Sequence, residues 1–263
     1  MQPFLSLKHL ALGIPQVLIF SSSNTPSIMQ LTLKRFSLLL CFVLTTYGLA
    51  LAQNNTETRN ISGFTGIEAG GIFRIILTGT GSESVRLEID GDIQFSDIET
   101  EVKGGILRFQ MKNTKYTWRD KVEITAYVTY KELNSLELSG ASFLKAEAPI
   151  SADRFMLQLS GASKVCLDLN CSKLDASLSG ASRLILAGKA SNSLLTTSGA
   201  SNFEGADFDS ESMKVSASGA SNIEVKAVKI LSGTASGASN ITYYGQADTN
   251  ISTSGVANIR RRN

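Results

Sequence analysis

The stretch LQLSGASKVCLDL, Leu157 to Leu169, decides how this chain is read. Its centre, SGAS, occurs six times, beginning at Ser139, Ser160, Ser179, Ser198, Ser218 and Ser236, and an altered copy, SGVA, begins at Ser254. Successive copies stand 21, 19, 19, 20, 18 and 18 residues apart. A period this regular is far too long for a heptad and fits one supersecondary unit per copy, stacked in a row.

Aligning the copies on their first serine exposes a single apolar face. Three residues before it stand Leu136, Leu157, Ala176, Leu195, Val215, Gly233 and Ile251. Five residues after it come Leu144, Val165, Leu184, Phe203, Ile223, Ile241 and Ile259. Both positions share one parity, so each copy reads as strand, corner, strand with alternate side chains inward. Carrying that parity through the motif turns the glycine and the second serine inward and leaves the first serine and alanine outside. Small residues suit a place where successive corners stack directly on one another, and glycine lets the chain bend there. One coil alone buries too little to fold, so neighbours must cooperate. Seven such coils at about 4.8 Å each give a stack of about 34 Å.

The residue after each motif changes along the stack. It is Phe143, Lys164 and Arg183 in the first three copies and Asn202, Asn222, Asn240 and Asn258 in the last four. The asparagines predict a stacked amide ladder, with a carbohydrate-binding row of amides as the competing reading.

Upstream of the repeats, residues 53–132 carry no SGAS but alternate strictly. Val85, Leu87 and Ile89 oppose Arg86, Glu88 and Asp90, and Leu107, Phe109 and Met111 oppose Arg108, Gln110 and Lys112. Val122, Ile124, Ala126 and Val128 repeat the pattern, and Gly104-Gly105 reads as a hairpin turn. The segment is expected to be a strand-rich cap on a coil region spanning 133–259.

At the N-terminus, Lys34 and Arg35 precede an apolar run from Phe36 to Ala50 that closes in Ala50-Leu51-Ala52. These are the three parts of a secretory signal peptide, cut after Ala52, with translation starting at Met29. The run is shorter than the roughly 20 residues that span a bilayer, and no membrane span is expected in the mature chain. Cys41 follows Leu40 rather than the small residue that a lipid-attachment box needs. Lys8, Lys34 and Arg35 account for three of the 25 basic residues, while all 23 acidic residues lie beyond Ala52. The exported chain is therefore close to neutral and offers no basic field for nucleic acid.

Composition also limits chemistry. The only histidine, His9, falls in the removed segment, which excludes histidine-based catalysis and ordinary zinc sites from the mature chain. Cys166 and Cys171 could bridge across a turn or stay as two thiols. Glu204, Asp207, Asp209 and Glu211 cluster in EGADFDSE, read as a solvated loop, with calcium binding as the rival. Their spacing matches neither calcium motif. Tyr116, Trp118, Tyr127, Tyr130, Tyr243 and Tyr244 are too scattered for an evident sugar-stacking row, although Trp118 and Tyr127 near the cap are candidates. Arg260, Arg261 and Arg262 follow the last copy and read as a charged guard on an exposed strand edge.

A leader, an opening like FTGIEAGGIFRIILTG, a string of LxLSGAS coils and a late ITYYG segment together resemble the GIN domain, the head-domain family named for auto-transporter adhesins. The resemblance spans Phe64 to Ile259 and implies a right-handed parallel β-helix from exported proteins. It transfers no catalytic, cofactor or binding residue. The reading is thus an all-β parallel β-helix, or β-solenoid, of about seven coils with a strand-rich N-terminal cap. It is exported to the periplasm, cell surface or medium, acts without cofactor or catalysis, and engages a glycan or surface protein. A structural role in the envelope is the alternative, and a polysaccharide-active β-helix enzyme is the rival from another class.

Overall fold

The computed structural model describes residues 55–112 and 122–262; the leader, Tyr116 and Trp118 lie outside them. Seven strands precede the first motif copy: β1 (Thr56–Arg59), β2 (Gly66–Gly71), β3 (Phe73–Gly79), β4 (Ser84–Asp90), β5 (Ile98–Lys103), β6 (Ile106–Met111) and β7 (Glu123–Tyr130). The repeats supply β8 (Ser135–Gly140), β9 (Phe143–Ala146), β10 (Ile150–Leu159), β11 (Lys164–Leu178) and β12 (Arg183–Thr197). They continue through β13 (Asn202–Ala217), β14 (Asn222–Ala235), β15 (Asn240–Tyr244), β16 (Asp248–Thr253) and β17 (Asn258–Arg262). The fold is an all-β parallel solenoid, one coil per motif copy.

Stacking is parallel and in register, which is why the same residue types recur at the same place in each copy. Leu157 pairs with Ala176, Ala176 with Leu195 and Leu195 with Val215. Leu144, Val165, Leu184, Phe203, Ile223 and Ile241 form a second buried row beyond the corner. Burial of these rows against each other supplies the main driving force for stacking.

At the corner, the second serine is inward as expected: Ser142, Ser163, Ser182, Ser201, Ser221 and Ser239 are all buried. The glycine is not. Gly140, Gly161, Gly180, Gly199, Gly219, Gly237 and Gly255 have φ between 70° and 72°, apart from Gly161 at 68°, and all seven are exposed. This left-handed residue breaks the alternation, so continuing strand parity through the corner misplaces the glycine. Its carbonyl accepts the alanine N–H of the next coil, as in Ala162 to Gly140 and Ala181 to Gly161, both 2.7 Å. The corner backbone is thereby paired from coil to coil.

The same seam begins before the first SGAS. Gly70 and Gly71 pair with Ser139 and Gly140, and the Ala141 N–H donates to the Gly71 carbonyl at 2.7 Å. AGGIF, Ala69 to Phe73, is thus a further corner written without serine, and β2–β3 form a coil directly against β8–β9. On its other side lie β6 and β7, again parallel. The chain lays down β2–β3, places β6–β7 outside them, then returns to the opposite side to begin the repeats. Beyond β6 and β7 the pairing turns antiparallel: β5 joins β6 through Gly104-Gly105, and β4 joins β7 and β1. Arg59 ties this end together, donating to the carbonyls of Ile98 (3.0 Å) and Phe95 (2.9 Å) and to Thr100 Oγ1 (2.6 Å).

EGADFDSE is not a loop. It lies within β13, where Phe203, Phe208 and Ser210 point inward and Asp207, Asp209 and Glu211 outward. The extra residue of the 20-residue spacing is taken up as a bulge opposite Ile185–Ala187 on β12, so an irregular coil length reflects a local register shift rather than a break in the sheet.

Candidate ligand surfaces

Because coils stack in register, an outward side chain repeated in sequence becomes a row on the wall. On the wall that follows the corner, one row runs Arg74, Phe143, Lys164, Arg183, Asn202, Asn222, Asn240 and Asn258. Its first part is cation and aromatic: the Arg74 guanidinium lies 5.1 Å and the Lys164 ammonium 5.9 Å from the Phe143 ring centre. Its second part is the amide ladder that the sequence predicts. Asn240 Nδ2 donates to Asn222 Oδ1 at 3.2 Å, and Asn202 Nδ2 donates to Glu204 Oε1 at 2.8 Å.

Beside the amides, Glu204, Glu224 and Thr242 form a second row. The two rows border a polar groove of about 390 Å³. One amide-to-amide bond leaves most of the asparagine donors and acceptors unused, and each side chain can present both at once. The groove therefore suits a ligand rich in hydroxyl or amide groups.

The acidic cluster is divided among separate ion pairs. Arg183 faces Glu204 at 3.4 Å, Lys226 faces Asp209 at 2.9 Å and Lys229 faces Glu211 at 2.6 Å. The hydrogen bond and charge of Asp209 raise the Lys226 pKa. No set of three or more His, Cys, Asp or Glu side chains converges as a metal site among the described residues.

Cys166 and Cys171 are free thiols. Cys166 sits on the same wall as Lys145 and Ile185, and Cys171 lies beyond it, where β11 bends. Burial, with Asp153 nearby, pushes the Cys171 thiol up to about 11. Tyr127 is covered by Arg86, whose guanidinium lies 4.0 Å from the ring centre, while Tyr130 is buried; both pack in the antiparallel end rather than forming a sugar-stacking row. Arg260, Arg261 and Arg262 lie on β17, paired on one side to Thr242, Tyr243 and Tyr244.

On the wall that precedes the corner, two further concavities adjoin the mid-coil bend. One of about 870 Å³ is bordered by Cys171, Lys189, Ala190 and Val228, and one of about 420 Å³ by Met156, Lys173, Leu174 and Leu194. Sequence reading missed both, because their residues come from coils about 20 positions apart and share no motif.

The class defined here is a β-solenoid whose outer walls are ruled with side-chain rows. The chain belongs to the family described as "Putative auto-transporter adhesin, head GIN domain", which matches residues 63–247. Among solved structures, a "putative adhesin" from Bacteroides fragilis NCTC 9343 superposes with a TM-score of 0.72 at 23% identity, covering 79% of this chain and 96% of that one. A "putative adhesin" from Parabacteroides merdae ATCC 43184 gives 0.63 at 16% identity, over 79% and 95% of the two chains. A "putative lipid binding protein" from Parabacteroides distasonis ATCC 8503 gives 0.62 at 20% identity, over 80% and 98%. These likenesses establish a shared fold. No curated protein matches the chain.

Proposed function

We propose that this protein is a non-catalytic, adhesin-like binding head, exported by the leader ending at Ala52, that engages a glycan at the cell surface through the amide groove. The observation that carries the reading is the in-register row Asn202, Asn222 and Asn240 beside Glu204, Glu224 and Thr242, bordering a groove of about 390 Å³. Paired acceptors and donors at a fixed inter-coil spacing suit successive hydroxyls along an oligosaccharide, and several weak polar contacts in a row add up where one would not. The family description and the adhesin names of two structural relatives support a binding role. Engagement of Glu204, Asp209 and Glu211 by basic partners supports a non-catalytic one, since general acid–base hydrolysis needs two carboxylates free to face one bond.

The test is a screen of the purified protein against a glycan array and immobilised host-matrix proteins. Saturable binding to a defined glycan supports the reading. Silence on both, together with one specific envelope protein recovered by cross-linking in the native cell, would transfer the function to an envelope scaffold.

A further inference from the structure

Five large apolar side chains are exposed among the described residues: Met156, Leu194, Val228, Ile230 and Val256. Three of them, Met156, Leu194 and Ile230, share the wall that precedes the corner, on the opposite side of the motif from the amide ladder. Register explains the gathering. Met156, Asp175, Leu194 and Lys214 follow one another across four coils, and Arg154, Lys173, Asn192, Ser212 and Ile230 form the adjacent row. Between the rows opens the concavity of about 420 Å³, floored by Leu174, which is only 4% exposed.

Charge around the concavity is mixed but mainly cationic, three basic side chains against Asp175. Arg154, Lys173 and Lys214 border the concavity, are exposed, and make no ion pair among the described residues. Two nearby acids, Asp209 and Glu211, are already neutralised by Lys226 and Lys229. Asp153 and Asp175 remain, so the concavity and its border stay net cationic. Apolar side chains half out of the wall, interleaved with unpaired cations whose long stems reach past them, match a surface that is itself apolar beneath an anionic layer. A glycan would leave Met156, Leu194 and Ile230 without a partner, and an acidic peptide would serve the cations but leave those three side chains wet.

We infer that the wall bearing Met156, Leu194 and Ile230 among Arg154, Lys173 and Lys214 docks on an anionic lipid surface, with the apolar side chains entering the leaflet and the cations meeting its headgroups. The site is independent of the amide groove, so either assignment stands if the other fails.

The experiment is co-sedimentation of the purified protein with vesicles of equal parts phosphatidylglycerol and phosphatidylcholine, and with phosphatidylcholine alone, at low and high salt. Binding is expected to the mixed vesicles only, falling as salt rises. Lys173→Glu should weaken it at least about fivefold, the equivalent of roughly one cation near an anionic surface. Met156→Ser combined with Leu194→Ser should abolish it; both positions are exposed, so the melting temperature should hold. Asn222→Ala combined with Asn240→Ala should bind vesicles like the wild type. No sedimentation, equal sedimentation with both vesicle types, or indifference to the Met156/Leu194 pair would overturn the inference. So would loss of glycan-array binding in Lys173→Glu, which would give this wall to the glycan.

Discussion

Gly140 lies directly on Gly71: a Cβ built on Gly140 would stand 2.5 Å from the Gly71 carbonyl oxygen. That oxygen accepts the Ala141 N–H at 2.7 Å, so it cannot withdraw without giving up the bond that joins the two coils. The relationship repeats up the stack, with Gly161 on Gly140 and Gly180 on Gly161 at 2.5 and 2.6 Å. Glycine is required at these corners twice over, by its left-handed φ and by the coil beneath it.

Replacing Gly180 with alanine is therefore expected to destabilise the solenoid by about 2–4 kcal/mol, the sum of a left-handed backbone penalty and a contact against main chain. For a domain of this size that corresponds to a fall in melting temperature of very roughly 5–15 °C. Gly81→Ala is the control. Gly81 has φ +72° but nothing within 4 Å of its built Cβ, so only the backbone penalty of about 1–2 kcal/mol should appear. Equal losses at the two positions in thermal unfolding would contradict the stacking account.

The buried serines should not behave alike. Ser163 and Ser239 donate to the carbonyls of Ser160 and Ser236, both at 2.9 Å, whereas the hydroxyls of Ser182 and Ser201 are buried without a partner among the described residues. Ser163→Ala should cost about 1 kcal/mol, while Ser201→Ala should be neutral or slightly stabilising, because it removes a polar atom that gains nothing from burial. Urea denaturation of the two variants decides between this pattern and a uniform serine ladder.

Arg59 is a second point of leverage. Its side chain is 17% exposed and binds two carbonyls and Thr100 Oγ1 across the antiparallel end. Arg59→Met should cost about 2–3 kcal/mol, the range for charge-assisted hydrogen bonds that leave carbonyls unserved. Hydrogen exchange should rise first in β1 and β5, with the repeat strands slower to follow. Uniform acceleration through β11–β13 would contradict a local role.

The Cys171 thiol, shifted from 9.0 to about 11 by burial and Asp153, should resist alkylation at neutral pH in the folded protein. Between pH 9 and 11 the unfolded chain has lost this proton while the folded chain retains it, so the group's contribution to stability falls as pH rises through that window. Cys171→Ser should flatten that part of the stability profile. Rapid labelling of Cys171 at neutral pH under native conditions would contradict its placement.

Much of the fold was legible because register makes sequence periodicity and spatial repetition the same thing. The inward rows through Leu157 and Val165, the inward second serine and the asparagine ladder all follow from motif alignment. Gly161 was misplaced because a left-handed residue inverts the parity that strand alternation assumes. AGGIF carries no corner signal in sequence because glycine alone, without the serines, is shared with ordinary turns. EGADFDSE looked like a loop because a bulge inside β13 mimics a composition break. The outer walls are hardest to read: Met156 and Leu194, two coils apart with Asp175 between them, fall in one row only because the coils are nearly equal in length, and no local pattern marks residues whose shared property is facing outward.

The most direct test of the binding account is a glycan array probed side by side with the wild-type protein and an Asn222→Ala/Asn240→Ala variant. These exposed amides share one mutual hydrogen bond, so their loss should leave the melting temperature nearly unchanged. The account predicts saturable binding of the wild type to a defined set of glycans and at least about tenfold weaker binding of the variant, about 1.4 kcal/mol. Equal binding by both proteins would contradict the amide groove as the ligand site.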